Sequence, residues 1–224
     1  MSDVKESGNE ATQDWVMDGK PALVLMHMQN GIAELFPQDR ISGMIERQRE
    51  LLDAFRSRDL PVVFVNVIPN PMGKLPAYGQ LMKGIKKLIS DTAMLDDPDF
   101  VRAYTTTIPE MERRPDEPVL INWLLGAFTN SGLDLLLRQR DVKTVVLSGF
   151  ATQSAVYTAA VQATDLWYST VIPRDASITG GRTAMWPDLD EKEKHQRIEE
   201  VTLDVMGAQI ALVTSTPDVI AHLP

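Results

Sequence analysis

Thr144-Val145-Val146-Leu147-Ser148-Gly149-Phe150-Ala151-Thr152-Gln153-Ser154-Ala155-Val156 is the stretch whose reading decides the fold. Thr144 to Leu147 is a short apolar run, as expected of a strand covered on both faces. Gly149 to Ala155 reads as a turn, and residues 153–166 as a helix. The unit is therefore strand, tight turn, helix.

Similar units lie on either side. Pro21-Ala22-Leu23-Val24-Leu25-Met26 and Pro61-Val62-Val63-Phe64-Val65-Asn66-Val67 are further buried-strand runs. Val119-Leu120-Ile121, Tyr168 to Ile172 and Gln209 to Val213 complete a set of about six strands. Between them, residues 40–58 form an amphipathic helix with Ile41, Met44, Ile45, Leu51, Leu52 and Phe55 on one face. Further helices are expected over 131–140, 190–206 and Thr216 to His222, the last with Thr216 as N-cap ahead of Pro217. Alternation of this kind implies a single-domain α/β fold, a doubly wound and mostly parallel sheet with helices on both faces. Residues 1–19 read as a flexible arm and 20–224 as the domain. The proline-rich stretch 69–117, with a Lys-bearing helix near 78–90, is an irregular insert suited to a lid or an oligomer contact.

Ligands of such sheets bind beyond the carboxyl ends of the strands, where the strand order switches. His27, Asn122 and the Gly149–Ala155 turn all fall at such ends. The net charge of −9 and pI near 4.8 argue against nucleic acid and anionic membrane as partners. The absence of cysteine excludes disulfides, thiolate metal sites and a thiol nucleophile. Met1 to Gly19 lacks the basic and apolar regions of a signal peptide, and no apolar run reaches membrane-spanning length. A cytoplasmic protein is expected.

Three segments resemble the isochorismatase-like cysteine hydrolases. Ala22-Leu23-Val24-Leu25-Met26-His27-Met28-Gln29-Asn30 resembles that family's first strand, with His27 where the family has Asp. Val119-Leu120-Ile121-Asn122, followed by Ala127-Phe128 and Leu133, resembles the strand delivering its Lys, with Asn122 in the Lys position. Leu147 to Val156 resembles the Gly-x-Ala-Thr-x-x-Cys-Val nucleophile turn, with Ala155 in the Cys position. The resemblance runs from about residue 20 to the C-terminus and implies a homodimer or homotetramer acting on a small molecule.

In that family the Asp takes the thiol proton, the Lys lowers the thiol pKa and the Cys attacks a carbonyl. Ala155 cannot attack, so thiol-ester chemistry is excluded here. True isochorismatases place Gly at the Cys position but keep the Asp as an acid, so their vinyl-ether route does not carry over either. The metal-binding members carry Asp-x-His after the second strand, whereas this chain reads Asn66-Val67-Ile68-Pro69-Asn70, so no metal and no cofactor is expected.

His27 can exchange a proton near neutral pH, or simply fill space at a strand end. Asn122 can orient a carbonyl but cannot titrate. Ser154 is either a helix cap or a nucleophile with His27 as its base, and the Ser154 and Ala155 amides match the family's oxyanion hole. Gln29, Phe128, Gln153 and Tyr157 are the candidates for substrate binding. Trp123 and Trp186 either line an aromatic pocket or pack in the core. Asp175 reads as structural, His195 as part of a solvated helix face, and Lys83, Lys86 and Lys87 as a basic surface. Three readings follow: a family hydrolase with a rebuilt site, a pseudoenzyme that binds a small metabolite or a partner in the old pocket, or a purely structural oligomer subunit.

Overall fold

The computed structural model describes residues 15–36, 38–68, 96–123, 125–180 and 185–224. The expected Lys-bearing helix near 78–90, with Lys83, Lys86 and Lys87, lies outside the described residues.

Seven strands form one parallel sheet. They are β1 (Lys20–Met26), β2 (Val62–Val67), β3 (Val119–Asn122), β4 (Val142–Phe150), β5 (Ser169–Pro173), β6 (Ser177–Ile178) and β7 (Leu212–Thr214). The order is β3-β2-β1-β4-β5-β7, with β6 pairing the end of β4 through Gly149↔Ser177 and Phe150↔Ile178. From β1 the chain winds outward through β2 to β3, then returns to the other side of β1 with β4. The switch point is thus the crevice beyond the carboxyl ends of β1 and β4.

Both faces are covered, which explains the unbroken apolar runs. Leu23, Leu25, Phe64 and Val146 pack with Met44, Leu51, Leu52 and Phe55 of helix α2 (Gln38–Ser57). Ala22, Val24, Met26, Val63, Val65, Val145 and Leu147 pack on the opposite face. They meet Leu133 and Leu137 of α4 (Leu133–Arg138), Ala159, Ala160 and Ala163 of α5 (Tyr157–Asp165), and Met206 of α6 (Glu191–Gln209). The alanines of α5 let that helix lie close to the sheet. Among the described residues the remaining α-helices are α1 (Asn30–Ala33), α3 (Pro98–Thr105) and α7 (Thr216–Ala221). No helix among the described residues is long and apolar enough to cross a membrane.

Several boundaries differ from the sequence expectation. The helix expected to stop at residue 206 runs to Gln209, because Met206 is fully buried and its carbonyl still accepts from Ile210 and Ala211. The last strand consequently starts at Leu212 rather than Gln209. Ser215, not Thr216, caps α7 by accepting from the Asp218 amide. The Thr216 hydroxyl and amide are both held by Asp175 Oδ1, at 2.9 and 2.8 Å. Trp15 stacks on His222 at 4.3 Å and donates to Asp218, and at the amino ends of β4 and β5 Asp18 accepts from Thr144 and Ser169. In the 69–117 stretch, residues 69–95 lie outside the described residues; Thr107 bridges to Gln29, and Ile108 N–H donates to Met28 O at 3.0 Å.

Candidate active site

His27 is the first residue past β1. Its amide donates to Val65 O at 2.7 Å, tying it to β2, and its carbonyl accepts from Gln29 N at 2.8 Å in a three-residue turn. The backbone there is left-handed, φ +57, a conformation in which His is enriched among non-glycine residues. The imidazole is only 4% exposed, and its Nε2 is buried without a hydrogen-bond partner. Desolvation pushes its pKa down to about 4, so the ring is neutral at physiological pH, with one nitrogen donating and one accepting.

The turn after β4 is pressed against this strand end. Gly149 has φ +131, and a Cβ built on it would stand 2.1 Å from Met26 O, so only glycine fits. A cis peptide follows at Phe150–Ala151. Thr152–Val156 is a π-turn: Val156 N–H reaches back to Ala151 O at 3.2 Å, and Ser154 N–H donates to the same oxygen at 3.1 Å. The Ser154 amide thus points back into the turn. Its hydroxyl makes only a long contact of 3.4 Å with Ala151 O and caps no helix. No hydrogen bond joins Ser154 to His27. Ala155 is buried in the core.

The other anticipated residues separate into engaged and orphaned groups. Asn122 is buried, donates to Gly126 O and accepts from Trp123 N at 2.7 Å, which shapes the loop after β3. Gln29 is fully buried and holds Val67 at both its N–H and C=O, and Tyr104 O besides, so its amide joins β2 to α3. Phe128 lies toward the other end of the sheet, its ring 5.8 Å from Tyr168 just before β5 and its amide on Gln162. The structure does not bring it to His27. Tyr157 packs against the core at the start of α5. Gln153 donates to Gly180 O, while its Oε1 is buried and unpartnered. Trp123 is half exposed. His195 is not on a purely solvated face: its Nδ1 lies 2.6 Å from Arg40 Nη1, and since a guanidinium only donates, that nitrogen accepts.

Sequence reasoning missed Asn66 and Thr179. Both are fully buried, and Asn66 Oδ1 and Thr179 Oγ1 have no partner. Among the described residues five buried side-chain polar atoms are unpartnered. Four of them (on His27, Asn66, Gln153 and Thr179) stand at or just past the carboxyl ends of β1, β2, β4 and β6. Buried polar groups normally find partners, and each that does not costs roughly 1–3 kcal/mol. Their positions at the carboxyl ends of neighbouring strands make that end of the sheet the candidate site. The one signal in the sequence was Asn66, a polar residue in an apolar strand. An open groove of about 560 Å³ lies elsewhere, along edge strand β3, lined by Arg102, Thr107, Glu112, Arg113 and Ile121 among others. None of its lining side chains carries a buried unpartnered atom.

Residues 21–209 match the sequence model of the isochorismatase domain. The isochorismatase family protein YwoC of Bacillus subtilis is 28% identical over 160 residues, covering 71% of this chain and 78% of its own. YecD of Escherichia coli O157:H7, of the same family, is 28% identical over 161 residues, covering 69% and 78%. An isochorismatase family protein from Burkholderia thailandensis superposes with a TM-score of 0.69 at 26% identity, over 93% of this chain and 97% of that one. A cysteine hydrolase from Pseudomonas syringae pv. phaseolicola shares the fold, with a TM-score of 0.72 at 21% identity over 93% and 94%.

Proposed function

Because the chain belongs to the isochorismatase family, we propose that it is a hydrolase of small molecules that uses His27 where its relatives use a carboxylate. The observation that carries this reading is the buried, partnerless Nε2 of His27 at the β1–β4 switch point. A neutral imidazole can take the proton of a water molecule attacking a carbonyl and return it to the departing nitrogen or oxygen. The balance is one water consumed, one carbonyl bond to the leaving group broken, and acid plus amine or alcohol formed. In its resting state a ring with a pKa of about 4 is a weak base. Negative charge developing on the attacked carbonyl oxygen raises that pKa during the reaction, since an adjacent anion favours the protonated ring.

A second reading, binding without turnover, is favoured by a specific observation. The Ser154 amide is already bonded, the Asn122 amide is taken up by its own loop, and Ala155 offers no nucleophile. The deciding experiment is turnover of the pure protein against a panel of small amides, esters, imides and vinyl ethers, beside His27→Ala. A fall of about 10²-fold or more in the variant supports the hydrolase, the range expected of a lost acid–base group. Equal turnover in both proteins rejects His27. Saturable binding with no turnover in either supports the second reading.

A further inference from the structure

The segment that leaves β6, Thr179-Gly180, is held more firmly than a loop requires. Thr179 O accepts from Arg40 Nη2 of α2 at 3.0 Å. Its amide donates to the Glu199 carboxylate of α6, which also accepts from the Thr152 hydroxyl at 3.3 Å. Gly180 O accepts from Gln153 of the π-turn. A Cβ on Gly180 would come within 2.2 Å of the Phe36 ring, which in turn packs tilted against Phe150 with ring centroids 4.6 Å apart. Two helices, the turn and an aromatic pair therefore grip two residues. Within that grip two polar atoms stay unpartnered, Gln153 Oε1 and Thr179 Oγ1, although Thr179 is 0% exposed.

We propose that Gln153 and Thr179 form a specificity subsite beside the reaction centre, which receives a neutral group of the ligand bearing an N–H or O–H donor. This rests on the reading of the switch-point crevice as the ligand site. Gln153 Nε2 is committed to Gly180 O, so the free end of the amide is its oxygen, which only accepts. The Thr179 hydroxyl can donate and accept. An N–H of the ligand meets Gln153 Oε1, and a neighbouring ligand oxygen meets the Thr179 hydroxyl. A carboxylate at the same place would set its charged oxygen against the Gln153 oxygen, which only accepts. The subsite therefore selects against an anion at that end of the ligand, in the way that unpaired polar groups discriminate strongly between near-isosteres.

The test uses a matched pair of probes, benzamide and benzoate, titrated into the full chain by NMR, with Thr179→Val and Gln153→Met beside the wild type. Thr→Val keeps the shape and removes only the unpartnered hydroxyl. Its Tm should rise by about 2–4 °C, because a buried hydroxyl without a partner is gone. Its Kd for benzamide should rise about tenfold, as should that of Gln153→Met, while benzoate remains the weaker probe throughout. A lowered Tm in Thr179→Val would mean that the hydroxyl serves the fold, and would overturn the subsite. So would benzamide binding that neither variant weakens, or wild-type protein that prefers benzoate. In those cases His27-dependent turnover of the panel would be untouched. Failure of the reaction reading shows instead as turnover indifferent to His27, whatever the Thr179 variant does.

Discussion

The His27 ring should make the protein acid-sensitive by an amount that can be worked out in advance. In the unfolded chain it protonates near its ordinary 6.5, whereas in the folded chain burial holds it neutral down to about 4. Between those values the unfolded state binds more protons, so stability falls as the pH is lowered through the window and the effect levels off below about 4. From pH 7 to pH 5 the loss attributable to this one ring is about 2 kcal/mol, and by pH 4 it reaches about 3 kcal/mol. The control is His27→Asn, which removes the titration and keeps a residue that tolerates left-handed backbone. Urea unfolding of both proteins at pH 7, 6, 5 and 4 gives the difference directly, since all other groups titrate alike in the pair. The chain has three histidines, so the imidazole signal missing from the variant identifies His27 by NMR and gives its pKa independently. Parallel stability curves for the two proteins, or a His27 that titrates near 6.5, would refute the desolvation argument and remove the case for a resting neutral ring.

Two further outcomes follow from the packing. Arg56 and Glu117 form a bidentate pair at 2.7 and 2.8 Å with side chains 8% and 7% exposed; Glu117→Ala leaves the guanidinium without its counter-charge, with only the Met111 and Glu112 carbonyls to bond, and should cost about 3 kcal/mol in urea unfolding. Gly149→Ala sets a Cβ against the Met26 carbonyl and should cost more than about 4 kcal/mol, read as loss of the folded circular-dichroism spectrum or of soluble yield.

The architecture was legible wherever one local cause governs a segment. β1, β2 and β4 are covered on both faces, so they appear as apolar runs, and Gly149 stands out because the turn tolerates nothing larger. β6 was not legible: Ser177–Ile178 is two residues long and exists only because it pairs with the end of β4. The cap of α7 was misplaced by one residue because Asp175, 41 positions earlier, claims the Thr216 hydroxyl. The same distinction runs through the site. His27, Asn122 and Ala155 are visible as substitutions in a motif, yet Phe128, only six residues after Asn122, turns toward Tyr168. Thr179 stands out only for the partner its hydroxyl lacks, a property of three-dimensional surroundings that leaves no mark on composition or spacing, whereas Asn66 shows in the sequence as a polar residue within an apolar strand.

The four unpartnered atoms come from residues 27, 66, 153 and 179, which reach the same end of the sheet only when β1, β2, β4 and β6 pair side by side. No fragment of the chain carries all four, and the denatured ensemble has no counterpart of their arrangement. A ligand of the proposed site would bind the native state alone, and by mass action would draw the folding equilibrium toward it, by about 2.7 kcal/mol at a hundredfold excess over Kd. Heating the protein against a library of metabolites would thus reveal such a ligand whether or not the bound molecule is ever converted.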